Sequence, residues 1–195
     1  MISMISTYLS LLLLKEQIIT ADDEEIYKYG FEITIANMVN GIIILLIGIG
    51  FHKLPETFLF YLAFVSLRFF CGGYHADSYQ KCFLYFAITG SLCIMASEWI
   101  SRYEKATIVL FFSATAALWL CIFKKAPVEH ENRPLTQKEE LFFRKRSMQI
   151  CGFWSMVGIV LCMAHQMQMT ASLISTFIVV TILMTGGEDH EKRSA

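Results

Sequence analysis

Charge is what this sequence of 195 residues has least of: only 17% of its residues are charged, against 55% hydrophobic, and its mean hydropathy is +0.52. A soluble globular domain does not have that balance. Sixteen basic against seventeen acidic residues leave a formal charge of -1. There is no positive field to hold a nucleic-acid backbone, and no acidic excess of the kind that keeps a tail disordered. The sequence has no P-loop, dinucleotide fingerprint or GxSxG. His130-Glu131-Asn132-Arg133-Pro134 lacks the second histidine of a zinc-protease HExxH. The His/Cys/Asp/Glu clusters of a structural metal site are missing, so neither a metal nor another cofactor is expected. Tandem repeats, low-complexity tracts and heptads are absent too. The six cysteines form no loop-borne pairs at regular spacing; Cys71, Cys93, Cys121, Cys151 and Cys162 sit in or beside apolar runs and read as small hydrophobes.

What is present is a succession of apolar runs. A spanning helix takes about 20 residues, so six of them leave room for short loops and little else. The expected fold is an all-α integral membrane protein, one membrane domain over residues 1–195, with an N-terminal amphipathic interfacial helix and six transmembrane helices. Residues 1–20 place Ser3, Ser6, Thr7, Ser10 and Gln17 opposite Ile2, Ile5, Leu9, Leu12 and Leu13, which suits a helix lying in the interface. They lack the basic start and small-x-small site of a signal peptide and are read as retained. Thr20 and Asp23 suggest a capping box for the next helix. Helices or spans are expected at 22–51, 55–71, 82–100, 106–123, 149–165 and 170–185, with a loop at 124–147. Gly72-Gly73 should break the chain after the second span.

With the N-terminus in the cytoplasm, thirteen of the sixteen basic residues fall on that side; Lys53, Arg102 and Lys105 fall on the other. Both termini are therefore expected in the cytoplasm.

The densest polar stretch runs from Arg68 to Cys82, RFFCGGYHADSYQKC. Ionisable groups near membrane depth are functional candidates, and a cysteine nucleophile needs a base or cation to become thiolate. His75 and Cys82 supply such a pair. On an unbroken helix they would share a face about 10.5 Å apart along the axis, so contact requires the chain to turn. Cys71 and His75, at i and i+4, are a competing pair across the glycines. His52, His165 and His190 stand near span ends and read as interfacial.

These residues, with Ala126-Pro127 and the Glu131–Leu135 stretch ENRPL, resemble the accessory gene regulator B (AgrB) family of membrane cysteine endopeptidases. The match rests on Arg68, Cys71-Gly72-Gly73-Tyr74-His75-Ala76 and Cys82 at the family spacing. The resemblance implies a quorum-sensing processor in a bacterial cell membrane that removes the C-terminal part of a small AgrD-like propeptide and helps cyclise the rest. Carried over by position, Cys82 is the nucleophile and His75 its base, while Arg68 and Gly73 fall at positions tied to activity. The chemistry then runs through a thioester on Cys82, resolved by a propeptide cysteine or serine into a thiolactone or lactone, in a pocket kept dry against hydrolysis. Backbone amides near Gly72 and Gly73 are candidates for the oxyanion.

Several roles stay open at this level. Asp77 either orients His75 or is a solvated loop acid; Arg68 either binds a substrate carboxylate or holds the loop through carbonyl contacts. Lys124, Lys125, Arg144, Lys145 and Arg146 either attract an acidic propeptide tail or serve topology beside the spans. The first helix either captures a membrane-lying propeptide or only anchors the chain in lipid. Gly41, Gly48 and Gly50 suit either a homodimer or packing within one chain. A peptide or ion transporter and a noncatalytic scaffold are the alternative functions.

Overall fold

The computed structural model describes residues 2–72, 79–128 and 136–194, with side chains described to residue 186. Seven helices are seen among the described residues: α1 (Ile2–Lys15), α2 (Glu24–Gly50), α3 (Leu54–Cys71), α4 (Tyr79–Ile100), α5 (Glu104–Lys125), α6 (Gln137–Met163) and α7 (Met167–Ser194). The six from α2 to α7 are long and apolar enough to cross a membrane, so this is a multi-pass membrane protein. The chain divides into two compact units, residues 1–43 and 44–195, with the boundary inside α2.

In the first unit, α1 differs from its expected orientation. Ser6 and Ser10 are fully buried, and Ser6 Oγ donates to Glu32 Oε1 of α2 at 3.2 Å, while Met4, Tyr8 and Leu11 are exposed. Ser6 and Ser10 of the polar stripe therefore face protein, while Ser3 and Gln17 are exposed. Where lipid is the surroundings, small hydroxyl residues serve helix contact and apolar side chains need no partner. The Thr20 capping box is not formed. Thr20 Oγ1 donates to the Asp23 carboxylate at 2.7 Å instead of accepting from its amide, and the chain makes a short 3-10 turn, Ala21–Asp23, before α2.

In the second unit, α7 is the central helix. It packs on α3, α4, α5 and α6, and 56% of its apolar window is buried, against 22–33% for the other spans. Leu67 of α3, Leu118 and Ile122 of α5, Cys151 of α6 and Phe177 and Val180 of α7 share the main core. A smaller core joins Ile44, Phe60, Phe86 and Ile94. Hydroxyls within α7 are satisfied along the helix: Ser175 donates to Ala171 O and Thr176 to Ser172 O. Polar ties link neighbouring helices. Trp154 Nε1 donates to Ser66 Oγ at 2.7 Å (α6 to α3), and Ser172 Oγ donates to Glu56 O at 2.8 Å (α7 to α3).

Helix ends follow local chemistry. Pro55 sits in the first turn of α3, where its missing N–H costs no hydrogen bond. His52 and His165 terminate α2 and α6 in the left-handed conformation, φ 54° and 55°. The following amides reach back five residues, Lys53 N to Gly48 O and Gln166 N to Leu161 O. Residues 137–147, expected as loop, form the first turns of α6. Thr136 and Glu139 make a reciprocal capping box there, with the Thr136 amide donating to Glu139 Oε2 at 2.9 Å. At 27 residues, α6 is about 40 Å long, more than the roughly 30 Å hydrocarbon layer. Its polar start thus stands outside the apolar span. Gly48 packs inside the chain, where an added Cβ would lie 2.8 Å from Thr57 Cβ.

Gly158 of α6 lies against the Phe111 ring of α5 so closely that any Cβ would overlap the ring carbons. Gly158→Ala is expected to destabilise the detergent-solubilised protein by about 1–3 kcal/mol through overpacking, read as a lower thermal midpoint. Gly30→Ala, where nothing lies within 4 Å, is expected to leave the midpoint unchanged or raise it.

Candidate active site

Arg68 stands in the last turn of α3, where a cation complements the negative end of the helix dipole. It holds the helix end twice. Its carbonyl accepts the Gly72 amide at 3.2 Å, and its guanidinium Nη1 donates to the Gly72 carbonyl. The guanidinium is also within electrostatic reach of two thiols, those of Cys71 and Cys82. Of the two roles open for Arg68, the structure thus displays the contact to a loop carbonyl.

Gly72 has φ +72°, which only glycine adopts readily. The chain breaks here, as the glycine pair predicts. The backbone at this point is met by the segment that follows α5. α5 ends at Lys125, and Ala126 is extended, as a residue before proline prefers. The Val128 amide then donates to Cys71 O at 2.9 Å, and Gly72 and Val128 form an isolated parallel bridge. A Cβ on Gly72 would collide with the Val128 carbonyl oxygen. The α3–α4 and α5–α6 connections are therefore joined at one end of the bundle.

The two cysteines near Arg68 differ in access. Cys71 is completely buried in the main core, facing the Ser147 hydroxyl and within electrostatic reach of Cys121 and Cys151. Cys82 is half-buried in the first turn of α4, where a helix N-terminus favours negative charge. All six cysteines are free thiols, but Cys82 is accessible from outside the bundle and Cys71 is not. Gly73, His75 and Asp77 lie outside the described residues.

The basic candidates gather at this same end and are exposed, save Lys125, which is half-buried. Arg144 Nη2 donates to Phe123 O in the last turns of α5 at 3.1 Å. Arg146 donates to Gln149 Oε1 at 3.2 Å and lies 5.3 Å from the Phe142 ring centroid. Arg144 thus caps the helix from which Lys124 and Lys125 project. Val128 and Ser147 were missed by sequence reasoning. Ala126-Pro127 marks the end of a helix, but nothing in the string of residues pairs Val128 with Cys71. Among the described residues, no group of three or more His, Cys, Asp and Glu is placed to hold a metal ion.

Residues 5–185 match the family model described as Accessory gene regulator B. Two curated AgrB-like proteins of Clostridium perfringens, from strains SM101 and 13, are each 28% identical to the chain over 141 residues. These alignments take in 70% of this chain and 65% of each relative, so the chain spans about two thirds of their length, slightly less than that fraction. No solved structure matches the chain.

The position of Arg68 beside Cys82 gives a direct test. The Arg68 guanidinium is within electrostatic reach of Cys82, and a neighbouring cation assists a thiol in attacking an electrophile. Arg68→Met is therefore expected to slow alkylation of Cys82 by N-ethylmaleimide several-fold at neutral pH, and Arg68→Lys to slow it less. Site-resolved mass spectrometry of the labelled protein measures both.

Proposed function

This chain belongs to the accessory gene regulator B family, and on that premise we propose that it is a membrane cysteine endopeptidase of quorum sensing. Its substrate is a small AgrD-like propeptide, and its product is a cyclic peptide precursor. The observation that carries the reading is the placement of Cys82, half-buried at the start of α4 with the Arg68 guanidinium in electrostatic reach.

In the proposed sequence, His75 takes the Cys82 proton as the sulfur attacks the scissile carbonyl. The C–N bond breaks, the proton passes to the leaving amine, and the C-terminal fragment departs from an acyl thioester on Cys82. A propeptide thiol or hydroxyl then attacks the same carbonyl. The Cys82 C–S bond breaks, Cys82 recovers a proton, and the ring leaves as thiolactone or lactone. Arg68 supplies positive charge for the thiolate before attack and for Cys82 as leaving group afterwards. Exclusion of water favours ring closure over hydrolysis. The ring-forming exchange is close to balanced and the whole conversion from peptide to thiolactone is uphill, so removal of the product draws it forward.

The site end is assigned to the cytoplasm, where both termini and thirteen of the sixteen basic residues then fall. Lys124, Lys125, Arg144, Lys145 and Arg146 face the same compartment and offer positive charge to an acidic C-terminal fragment. Asp77, two residues from His75, is assigned the orienting role.

Coexpression with the cognate propeptide tests the proposal. Cys82→Ala is expected to abolish cleavage, and His75→Ala to slow it by about 100- to 10,000-fold, the range of a general base. Intact-mass analysis of wild-type protein caught during turnover should show propeptide attached at Cys82. Full cleavage by Cys82→Ala would sink the peptidase assignment.

A further inference from the structure

We infer that the backbone of Val128, on the α5–α6 connection, is a positioning element for the Cys82 site. This rests on the endopeptidase reading above for its functional meaning, but not for its geometry. The Val128 amide holds Cys71 O at 2.9 Å, and Val128 pairs with Gly72 in the only bridge among the described residues. Gly72 O in turn receives Arg68, whose guanidinium is in reach of Cys82.

Two contacts thus run from Val128 to the Cys71–Gly72 backbone and from Gly72 to Arg68, whose guanidinium is within electrostatic reach of Cys82. Gly72 has no freedom to shift toward Val128, since even a Cβ would collide with the Val128 oxygen. Val128 is itself fixed, because its side chain packs on the main core and Ala126 before it is buried. α5 is anchored just before this point by Arg144 on Phe123 O. The chain therefore leaves α3 from a point set by a different pair of helices, α5 and α6. Cys71 O and Gly72 O would otherwise be unpaired carbonyls at a helix end. Loss of the Val128 amide frees Gly72, and with it the acceptor that holds the Arg68 guanidinium near Cys82. Val128 touches no reacting atom; it acts through Gly72 and Arg68.

The experiment compares Val128→Pro, which deletes the amide donor, with Val128→Ile, which keeps the donor and the apolar side chain. N-ethylmaleimide labelling of the purified full chain is read at Cys82 and at Cys162, a half-buried thiol on α6 at the other end of the bundle. Val128→Pro is expected to lower Cys82 labelling several-fold, leave Cys162 labelling unchanged and reduce cleavage of the coexpressed propeptide by about a hundredfold, the scale of a small misplacement. Val128→Ile is expected to behave as wild type. If Val128→Pro raises labelling at Cys162, the bundle has opened, and Gly72→Ala decides: it perturbs the same contact from the other side and should lower Cys82 labelling alone. Wild-type or faster Cys82 labelling in Val128→Pro with Cys162 unchanged, or in Gly72→Ala, overturns the inference. So does a loss in Val128→Ile equal to that in Val128→Pro, which would assign the effect to the side chain. Labelling is read without propeptide, so failure of the positioning role is seen separately from full cleavage by Cys82→Ala, which defeats the endopeptidase reading instead.

Discussion

A helix that stops at the edge of a bilayer exposes carbonyls that neither its own turns nor bulk water fully satisfies, and α3 meets that constraint at Cys71 and Gly72. The partners come from three places: Gly72 N–H on Arg68 O, the Arg68 side chain on Gly72 O, and the Val128 amide on Cys71 O. Each pairs a main-chain group at the helix end. Each also fixes something near Cys82. The arginine that satisfies a carbonyl is the cation beside the thiol, and the amide that satisfies the other carbonyl ties two connections together. Stability and the geometry around Arg68 thus share one set of atoms.

The rest of the second unit is arranged so that this end is held firmly. α7 fills the middle of the helices around it, with Leu173, Ile174, Phe177, Val180 and Met184 all fully buried. Three thiols, Cys71, Cys121 and Cys151, are buried in the same core. They pack as small apolar groups, as their positions in the apolar runs suggest. Burial removes Cys71 from competition with Cys82, although both lie near the same arginine. Access, rather than charge alone, separates the nucleophile candidate from the packing residue.

The spans were legible because apolar length is a strong signal: α3 and α5 fall within two residues of their expected limits. The start of α6 was not legible as helix, since Glu139, Glu140, Arg144, Lys145 and Arg146 make that stretch polar, and a polar stretch beside a span reads as loop. The Thr136–Glu139 pair that starts the helix went unread, and a capping box carries weight only once both bonds are seen to form. Thr20–Asp23 has similar residues and forms neither; its one side-chain bond is Thr20 Oγ1 to the Asp23 carboxylate. The serines of α1 misled for another reason. The periodicity of polar residues locates a stripe but does not say whether the stripe meets water or Glu32. Arg68 and Cys82 stand out as candidates because such groups are rare near membrane depth. Val128 does not, because its role belongs to its backbone amide, and any residue but proline has one.

That distinction bears on how substitutions at this end of the protein should be read. Side-chain chemistry is spread over Arg68 and Cys82, and through the proposed base over His75, so changes there alter charge or reactivity directly. Cys71, Gly72 and Val128 act through main-chain atoms and excluded volume, so most side-chain changes at Val128 preserve the contact while any Cβ at Gly72 disturbs it. The α5–α6 connection, with its basic neighbours, is therefore coupled to α3 by geometry and not by charge. A propeptide tail drawn to Lys124, Lys125 or Arg144 would bind beside the segment that fixes Gly72. Binding there bears on the Cys82 site to the extent that it moves the backbone at Val128, since that amide is where the α5–α6 connection grips the end of α3.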